Sequence, residues 1–426
     1  MDALHDLARR MTAAALAAVD PERLAREELA RRGERFGAVL ALGKAGAALA
    51  RGARESLEAP ARRLLIRPHR SPALLDPLWE QKTGGHPLPD RWSVAAGERL
   101  EAWLAGIPPR PLLALISGGA SACVEAPAAG LTLDDLAAAQ RCLLASGLPI
   151  GTVNAVRKHL SRLKGGGAVS AAGGRLPRVL ALLLSDVPGD DPAAIASGPF
   201  AADPTSFAGA LAAVEGLPVP ESVRRHLAAG ARGEIPETLK PGDPALDRVE
   251  TVLLGGAGTA VAAASAEARR HGCHAAAGSL AGEAAEAARG LVARGRALAR
   301  VSAGCAVALV LGGETTVTLG SVAGSGGRNQ ELALAAAREL SGNTGELVFT
   351  LATDGEDGPT RYAGATVDGA TWEAIRRTGL DPEAALARHD SRPALATVPA
   401  ALLETGPTGT NVGDLAVYLR APSSQA

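Results

Sequence analysis

Aromatic side chains are nearly absent. Four Phe, four Trp and two Tyr are all that 426 residues carry, so there is no supply of rings on which bases could stack. A dominant sign of charge is missing too. With 44 Lys and Arg against 45 Asp and Glu, no broad basic field exists to hold a phosphate backbone. Nucleic acid is therefore not an expected partner.

The four cysteines, at 123, 142, 273 and 305, form no C-x-x-C pair and sit beside apolar or small neighbours. They read as buried structural thiols, and a reducing cytoplasm suits such usage better than an exported, disulfide-stapled chain. Long hydrophobic runs are also lacking. The longest, such as 179–184 and 306–311, stop at strand length, short of the ~18 residues a membrane span needs. No membrane partner is expected.

At the N-terminus Arg9-Arg10 precedes MTAAALAAV, an arrangement that could pass for a signal peptide. Leu4, Leu7, Met11, Ala15 and Ala18, however, recur at helical spacing, with Asp2 and Asp6 ahead of the apolar stretch and Asp20-Pro21 ending it. The spacing predicts an amphipathic helix packed on the body.

What is present is a repeated alternation. Short apolar runs lead into glycine-rich or acidic loops: AVLALG to GKAG, LLALI to SGGAS, VLALLLS to DVPGDD, TVLL to GGAGTA, AVALVL to GGETT, and LVFTLA to TDGEDGPT. Ala-rich helical stretches separate many of them. This predicts an α/β fold of two domains, each with a largely parallel sheet covered by helices, since the chain exceeds the roughly 250–300 residues at which single cores stop growing. Between 216 and 248 the sequence is dense in Pro and Gly, which marks a boundary. We divide the chain near 240, into a Rossmann-like N-terminal domain (1–240) and a C-terminal domain (241–426), with the first helix able to pack on either. The active cleft is expected between them, where polar loops follow the carboxyl ends of strands.

Several of these loops carry chemistry. Gly43 and Lys44 form a tight turn that can place an ammonium on a phosphate. The turn is not a Walker A motif, since Gly37 is misplaced and Ala45 offers no hydroxyl for a metal. Ser117-Gly118-Gly119-Ala120-Ser121 lets backbone N–H groups face an anion. In GSGGRNQE, from 324 to 331, Gly326 and Gly327 lead into a helix that begins near Arg328 and Asn329. A cation at that end of a helix is unfavourable unless something negative is bound.

Asn154, Arg157, Lys158, Arg162 and Lys164 crowd one segment, for which a solvated helix face is the default. Asp186, Asp190 and Asp191 follow one strand, and Asp354, Glu356 and Asp357 another. Such carboxylates can complete a phosphoryl-transfer site or merely form turns. His86 lies in a shaped loop, GGHPLPD, and Thr408, Asn411 and Asp414 lie in TGPTGTNVGDL, where an N-capped turn explains Asp414 equally well.

The order of these segments resembles the glycerate 2-kinase family, which joins an N-terminal α/β domain to a MOFRL domain. The matches run from GKA and GGHPLPD through SGG, N-x-VRKHLS, KGG, LSDVPGDD and IASGP to GGETTV, GGRNQE, TDGEDGPT and TGPTGTNV. Two departures are Ala120, where the family commonly has SGGGS, and GGAGTA, where it commonly has an Asn.

The resemblance implies transfer of the γ-phosphoryl of ATP to the C2 hydroxyl of D-glycerate, with Mg2+ or another divalent cation. It places the active-site lysine and arginine on Lys44 and Arg328. Asp186 or Asp190 is then expected to take the hydroxyl proton or hold the metal, with Asp354 sharing the metal, and His86, Asn154, Arg157 and Lys158 are the expected glycerate contacts. Gly43, Ser117, Gly118, Gly119, Ser121, Gly326, Gly327, Asn329, Thr408 and Asn411 would line the phosphates and nucleotide. A homodimer is left open. Two rivals stand beside this: a nicotinamide-dependent hydroxypyruvate reductase using GGAGTA, and a non-catalytic sugar-acid or nucleotide binding protein.

Overall fold

A computed structural model describes residues 1–302, 304–319 and 324–422. Contacts divide them into two units, Pro21–Leu254 and Met1–Asp20 with Gly255–Ala426.

The first unit is built on strands β1 (Phe36–Leu42), β2 (Leu57–Pro68), β3 (Glu80–Gly84), β4 (Leu112–Ser117), β5 (Val179–Leu184) and β6 (Val249–Gly255), in the order β3-β2-β1-β4-β5-β6. The pairs β1–β2, β1–β4, β2–β3 and β4–β5 are parallel. Every residue of β1, β4 and β5 is buried, as central strands covered by helices on both faces must be. The strand order reverses between β1 and β4. Loops leaving the carboxyl ends of those two strands diverge, and the crevice between them is where such sheets bind ligands. The strand β6 lies beyond the Pro- and Gly-rich stretch and still extends this sheet.

The second unit carries β7 (His274–Leu280), β8 (Val307–Gly313), β9 (Glu346–Ala352), β10 (Gly364–Asp368), β11 (Leu402–Leu403) and β12 (Asp414–Arg420), ordered β11-β10-β9-β12-β8-β7. Here the expectation of a largely parallel sheet fails. Only β7–β8 is parallel, while β8–β12, β12–β9, β9–β10 and β10–β11 are antiparallel. The last strand inserts between β8 and β9, pointing against both. Buried on both faces, it shows the same continuous apolar run that a parallel strand would. The opening helix, Asp2–Ala18, buries Leu4, Leu7, Ala8, Met11 and Ala15 and packs in this unit against the helix Ala257–Arg270. Thr410 Oγ1 ties its end down by donating to Val19 O at 2.8 Å.

Among the described residues no helix is long and apolar enough to cross a membrane. All four cysteines are free, but only Cys123 and Cys273 are buried; Cys142 is half-buried and Cys305 exposed.

Candidate active site

In the first unit the reversal point is a locked pair of turns. The Gly43 N–H donates to Ile66 O at 3.0 Å and the Lys44 N–H to Gly118 O at 2.9 Å. Ala45 N–H donates to Ser117 Oγ at 3.0 Å, and that hydroxyl donates to Leu42 O at 3.1 Å. Gly43 sits at φ +96, and a Cβ there would stand 2.6 Å from Gly118 O and 2.7 Å from Ser117 Oγ. Only glycine permits both this conformation and this approach.

At Gly119, φ +83, an added Cβ would lie 3.0 Å from Lys44 Cγ and 3.5 Å from His86 Cδ2. The lysine stem and the exposed His86 therefore flank the same glycine. The His86 loop is held by Asp90, which caps the helix Arg91–Ala105 at Trp92 N and Ser93 N and also pairs with His69 at 2.7 Å. Asp186 follows β5, the strand next to β4, so Lys44, the Ser117–Gly119 turn and Asp186 follow the ends of three neighbouring strands, each about 5 Å from the next across the sheet. Asp190 occupies a left-handed turn, φ 54, and Asp191 is a turn former, accepting from Ala193 N at 2.9 Å.

Apart from Arg162, which is exposed and paired with Glu101, the cationic segment is not a solvated face. Lys158 is buried against Asp203 at 3.1 Å, and Asp203 also accepts from the Thr205 hydroxyl at 2.7 Å and the Thr238 hydroxyl at 2.9 Å. Lys164 is buried against Glu125. Both ammonium groups are consumed internally, because a buried charge must be paired. Arg157 is half-buried, beside Asn154 at 3.5 Å; burial pushes its guanidinium below the ordinary value, with Glu125 opposing. Of the two cations expected to meet a substrate carboxylate, Arg157 is thus the one without a buried carboxylate clamped on it.

In the second unit the helix Arg328–Leu340 opens at Gly327. Its first N–H groups already hold an anion, and that anion belongs to the chain. Asp357, 1% exposed, accepts from Asn329 N at 3.0 Å, from Gln330 N at 2.8 Å and from Gln330 Nε2 at 3.0 Å. Arg328 forms a fork on Asp414, Nε to Oδ2 at 2.5 Å and Nη2 to Oδ1 at 3.1 Å, and also meets Glu314. The expected anomaly at this helix start is therefore resolved internally: the negative charge facing Arg328 comes from Asp414, Glu314 and Asp357.

Topology explains why they gather. Asp414 begins β12, whose antiparallel insertion sets it opposite both Gly313 and Ala352, the carboxyl ends of β8 and β9. Glu314 is the first residue past β8 and Asp354 the second past β9. Burial would lower the Arg328 value, but Asp414 and Glu314 outweigh it and hold the guanidinium proton more firmly than usual. Burial pushes Asp357 up to about 6 against the opposing backbone donors, and raises Asp414 despite Arg328.

The Thr405–Gly413 loop laces onto this end: Thr353 Oγ1 donates to Gly413 O at 2.6 Å and accepts from Val412 N at 2.9 Å, while Thr408 N donates to Asp354 O at 3.3 Å. Asn411 is buried within it. Among the described residues no three His, Cys, Asp or Glu side chains form a ready metal cage.

GGAGTA does not behave as a dinucleotide loop. Its strand, β6, is at the edge of the first sheet, whereas its helix, Ala257–Arg270, packs on β7 and β8 of the second. At the position that needs a small residue stands Val261, whose Cγ2 would be 2.5 Å from a Cβ on Gly312. Asp414, Glu314 and Ser197 are the polar groups that sequence reasoning did not assign; a polar residue opening the apolar strand DLAVYLR was the available signal for the first.

A sheet of Rossmann order with its ligand loops at the reversal point, followed by a mixed-sheet unit presenting an arginine among carboxylates, defines a two-unit α/β enzyme. Residues 7–228 match the model of a domain of unknown function, DUF4147, and residues 307–414 that of the MOFRL family. A glycerate 2-kinase of Pyrococcus horikoshii is 41% identical over 349 residues, 79% of this chain and 76% of that protein. The crystal structure of glycerate kinase from Thermotoga maritima aligns over 99% of this chain and 100% of its own, with 35% identity and a TM-score of 0.84. An Agrobacterium vitis relative, 42% identical over 345 residues (78% of this chain, 76% of its own), bears a provisional hydroxypyruvate reductase name. The chain belongs to the glycerate 2-kinase family, a family of phosphotransferases.

Proposed function

We propose that the protein transfers the γ-phosphoryl group of ATP to the C2 hydroxyl of D-glycerate. The observation that carries this reading is the pair of interlocked turns at the β1/β4 reversal, which presents Lys44 beside Gly119 and His86. Lys44, in the first unit, and Arg328, in the second, are each assigned to phosphate. Their positive charge would offset what develops on the transferred group, and positioning would supply most of the remaining barrier reduction.

In the step itself the C2 oxygen forms a bond to the γ-phosphorus and the bond from that phosphorus to the β,γ-bridging oxygen breaks. Asp186 accepts the hydroxyl proton, and ADP departs. Arg157 is assigned to the glycerate carboxylate, for which its planar fork is suited. The turns Gly43, Ser117–Gly119 and Gly326–Asn329, with Thr408 and Asn411, are assigned to the phosphates and nucleotide. Mg2+ takes oxygen ligands and commonly uses only one or two carboxylates beside phosphate oxygens; Asp190 and Asp354, each half-buried, are each suitable donors, and a cation held at either would neutralise phosphate charge.

The test is ³¹P and ¹H NMR of the product from ATP and D-glycerate. Coupling of phosphorus to the CH proton supports 2-phosphoglycerate, whereas coupling to CH₂ refutes the C2 assignment. The reductase reading rests on the Agrobacterium relative's name. NADH oxidation with hydroxypyruvate, without ATP-dependent turnover, would favour it instead.

A further inference from the structure

Ser197 lies outside every site assigned above. It is fully buried in a run of three left-handed residues, Ala196 (φ 54), Ser197 (φ 60) and Gly198 (φ 64). Glycine adopts this region freely; alanine and serine hold it only where their surroundings over-determine it. The surroundings here are backbone clamps from a second loop. Gly165 N donates to Ser197 O at 3.0 Å and Gly166 N to Gly198 O at 2.8 Å, while Ser197 N donates to Ala194 O at 2.9 Å. Held this way, Ser197 Oγ lies 2.7 Å from Ser121 Oγ.

Ser121 stands two residues after Gly119, the glycine flanked by Lys44 and His86, and it is half-buried where Ser197 is enclosed. The 195–197 segment packs on the short helix of Ser121 and also on the helix Ile150–His159, which carries Arg157. Two hydroxyls in contact use one proton for their mutual bond and keep one O–H to donate elsewhere. Where the Ser197 O–H is the donor of that bond, the remaining O–H is that of Ser121, the less buried of the two.

We propose that Ser197 is a positioning residue for the acid substrate, fixing the rotamer of Ser121 so that its hydroxyl donates to a carboxylate oxygen of the acceptor. This rests on the kinase reading above. The strained turn is then the means by which a buried hydroxyl is brought to the far side of an anion loop.

The experiment compares steady-state kinetics of wild type, Ser197→Ala, Ser197→Gly, Ser121→Ala and the Ser121→Ala/Ser197→Ala double variant. Ser197→Gly relieves the left-handed strain while deleting the hydroxyl, so it should fold at least as well as wild type. Either Ser197 variant should raise KM for D-glycerate about five- to tenfold, the worth of one hydrogen bond, with KM for ATP unchanged within about twofold. The double variant should be no worse than Ser121→Ala alone, because Ser197 acts through Ser121.

A wild type without ATP-dependent glycerate turnover would sink the kinase reading and this inference together. An active wild type alongside an unchanged glycerate KM in Ser197→Gly refutes the positioning role alone. So does an equal rise in both KM values, or a fully additive double variant.

Discussion

Replacing Arg328 by alanine removes two things at once, and they can be separated. The guanidinium is the fork partner of Asp414, which is 1% exposed, and taking it away leaves a buried carboxylate facing Glu314, Asp354 and Asp357 with no cation. Breaking a buried pair costs roughly 3–5 kcal/mol. The Arg328 side chain is one-third exposed, so solvent screening reduces the expected loss to about 2–3 kcal/mol. The penalty should depend on pH. Burial already raises the Asp414 value in the presence of its partner, and without Arg328 the carboxyl takes up a proton still more readily. Arg328→Ala should therefore approach wild-type stability as pH falls.

The decisive comparison is Arg328→Ala/Asp414→Asn, in which the unpaired charge is gone. Urea denaturation followed by circular dichroism should show Arg328→Ala destabilised at pH 8 and the double variant largely restored. Phosphoryl transfer should remain low in both, by two or more orders of magnitude in kcat/KM. If Arg328→Ala is as stable as wild type at pH 8, the fork on Asp414 is not an energetic element. If the double variant regains activity, Arg328 serves only to neutralise Asp414, and its assignment to the phosphates is wrong.

Three further outcomes follow from the geometry. Lys44→Ala should lower kcat/KM by at least about a hundredfold, the scale of losing one preorganised charge contact in a transition state, and a near-wild-type value would remove Lys44 from the mechanism. Gly43→Ala, forced to φ +96 against Gly118 O and Ser117 Oγ, should destabilise the first unit by about 2–4 kcal/mol, read as a lower urea midpoint. Asp357 has a folded value of about 6 against an ordinary 3.8, so the folded state holds its proton more tightly. Its contribution is present at low pH and lost as pH rises through that window, by up to about 3 kcal/mol; Asp357→Asn should flatten the pH 4–6 slope of stability, and an unchanged slope would contradict the burial argument.

The sequence alone determined six of the twelve described strands, β1, β4, β5, β6, β8 and β9, and the glycine-rich or acidic turns that follow them. All-apolar runs that lead into glycine-rich or acidic loops can be little other than buried strands, and the positions of Lys44, Ser117–Ser121 and Asp186 at such ends, and of Arg328 at a helix start, were legible from local pattern. It also determined the opening helix, whose apolar positions have helical spacing. It did not determine strand direction in the second sheet, because a strand buried on both faces looks apolar throughout whichever way it runs.

Tertiary structure decided the partnerships. Asp414 meets Arg328, 86 residues away in sequence, only because β12 inserts against β8 and β9. Lys158 and Lys164, polar by pattern, are interior because Asp203 and Glu125 are brought to them from distant loops. A charge at a helix start, Arg328 above all, signals from sequence only that an anion is needed. Whether that anion is a ligand or the chain's own carboxylate depends on long-range contacts, and here the chain itself supplies Asp414, Glu314 and Asp357.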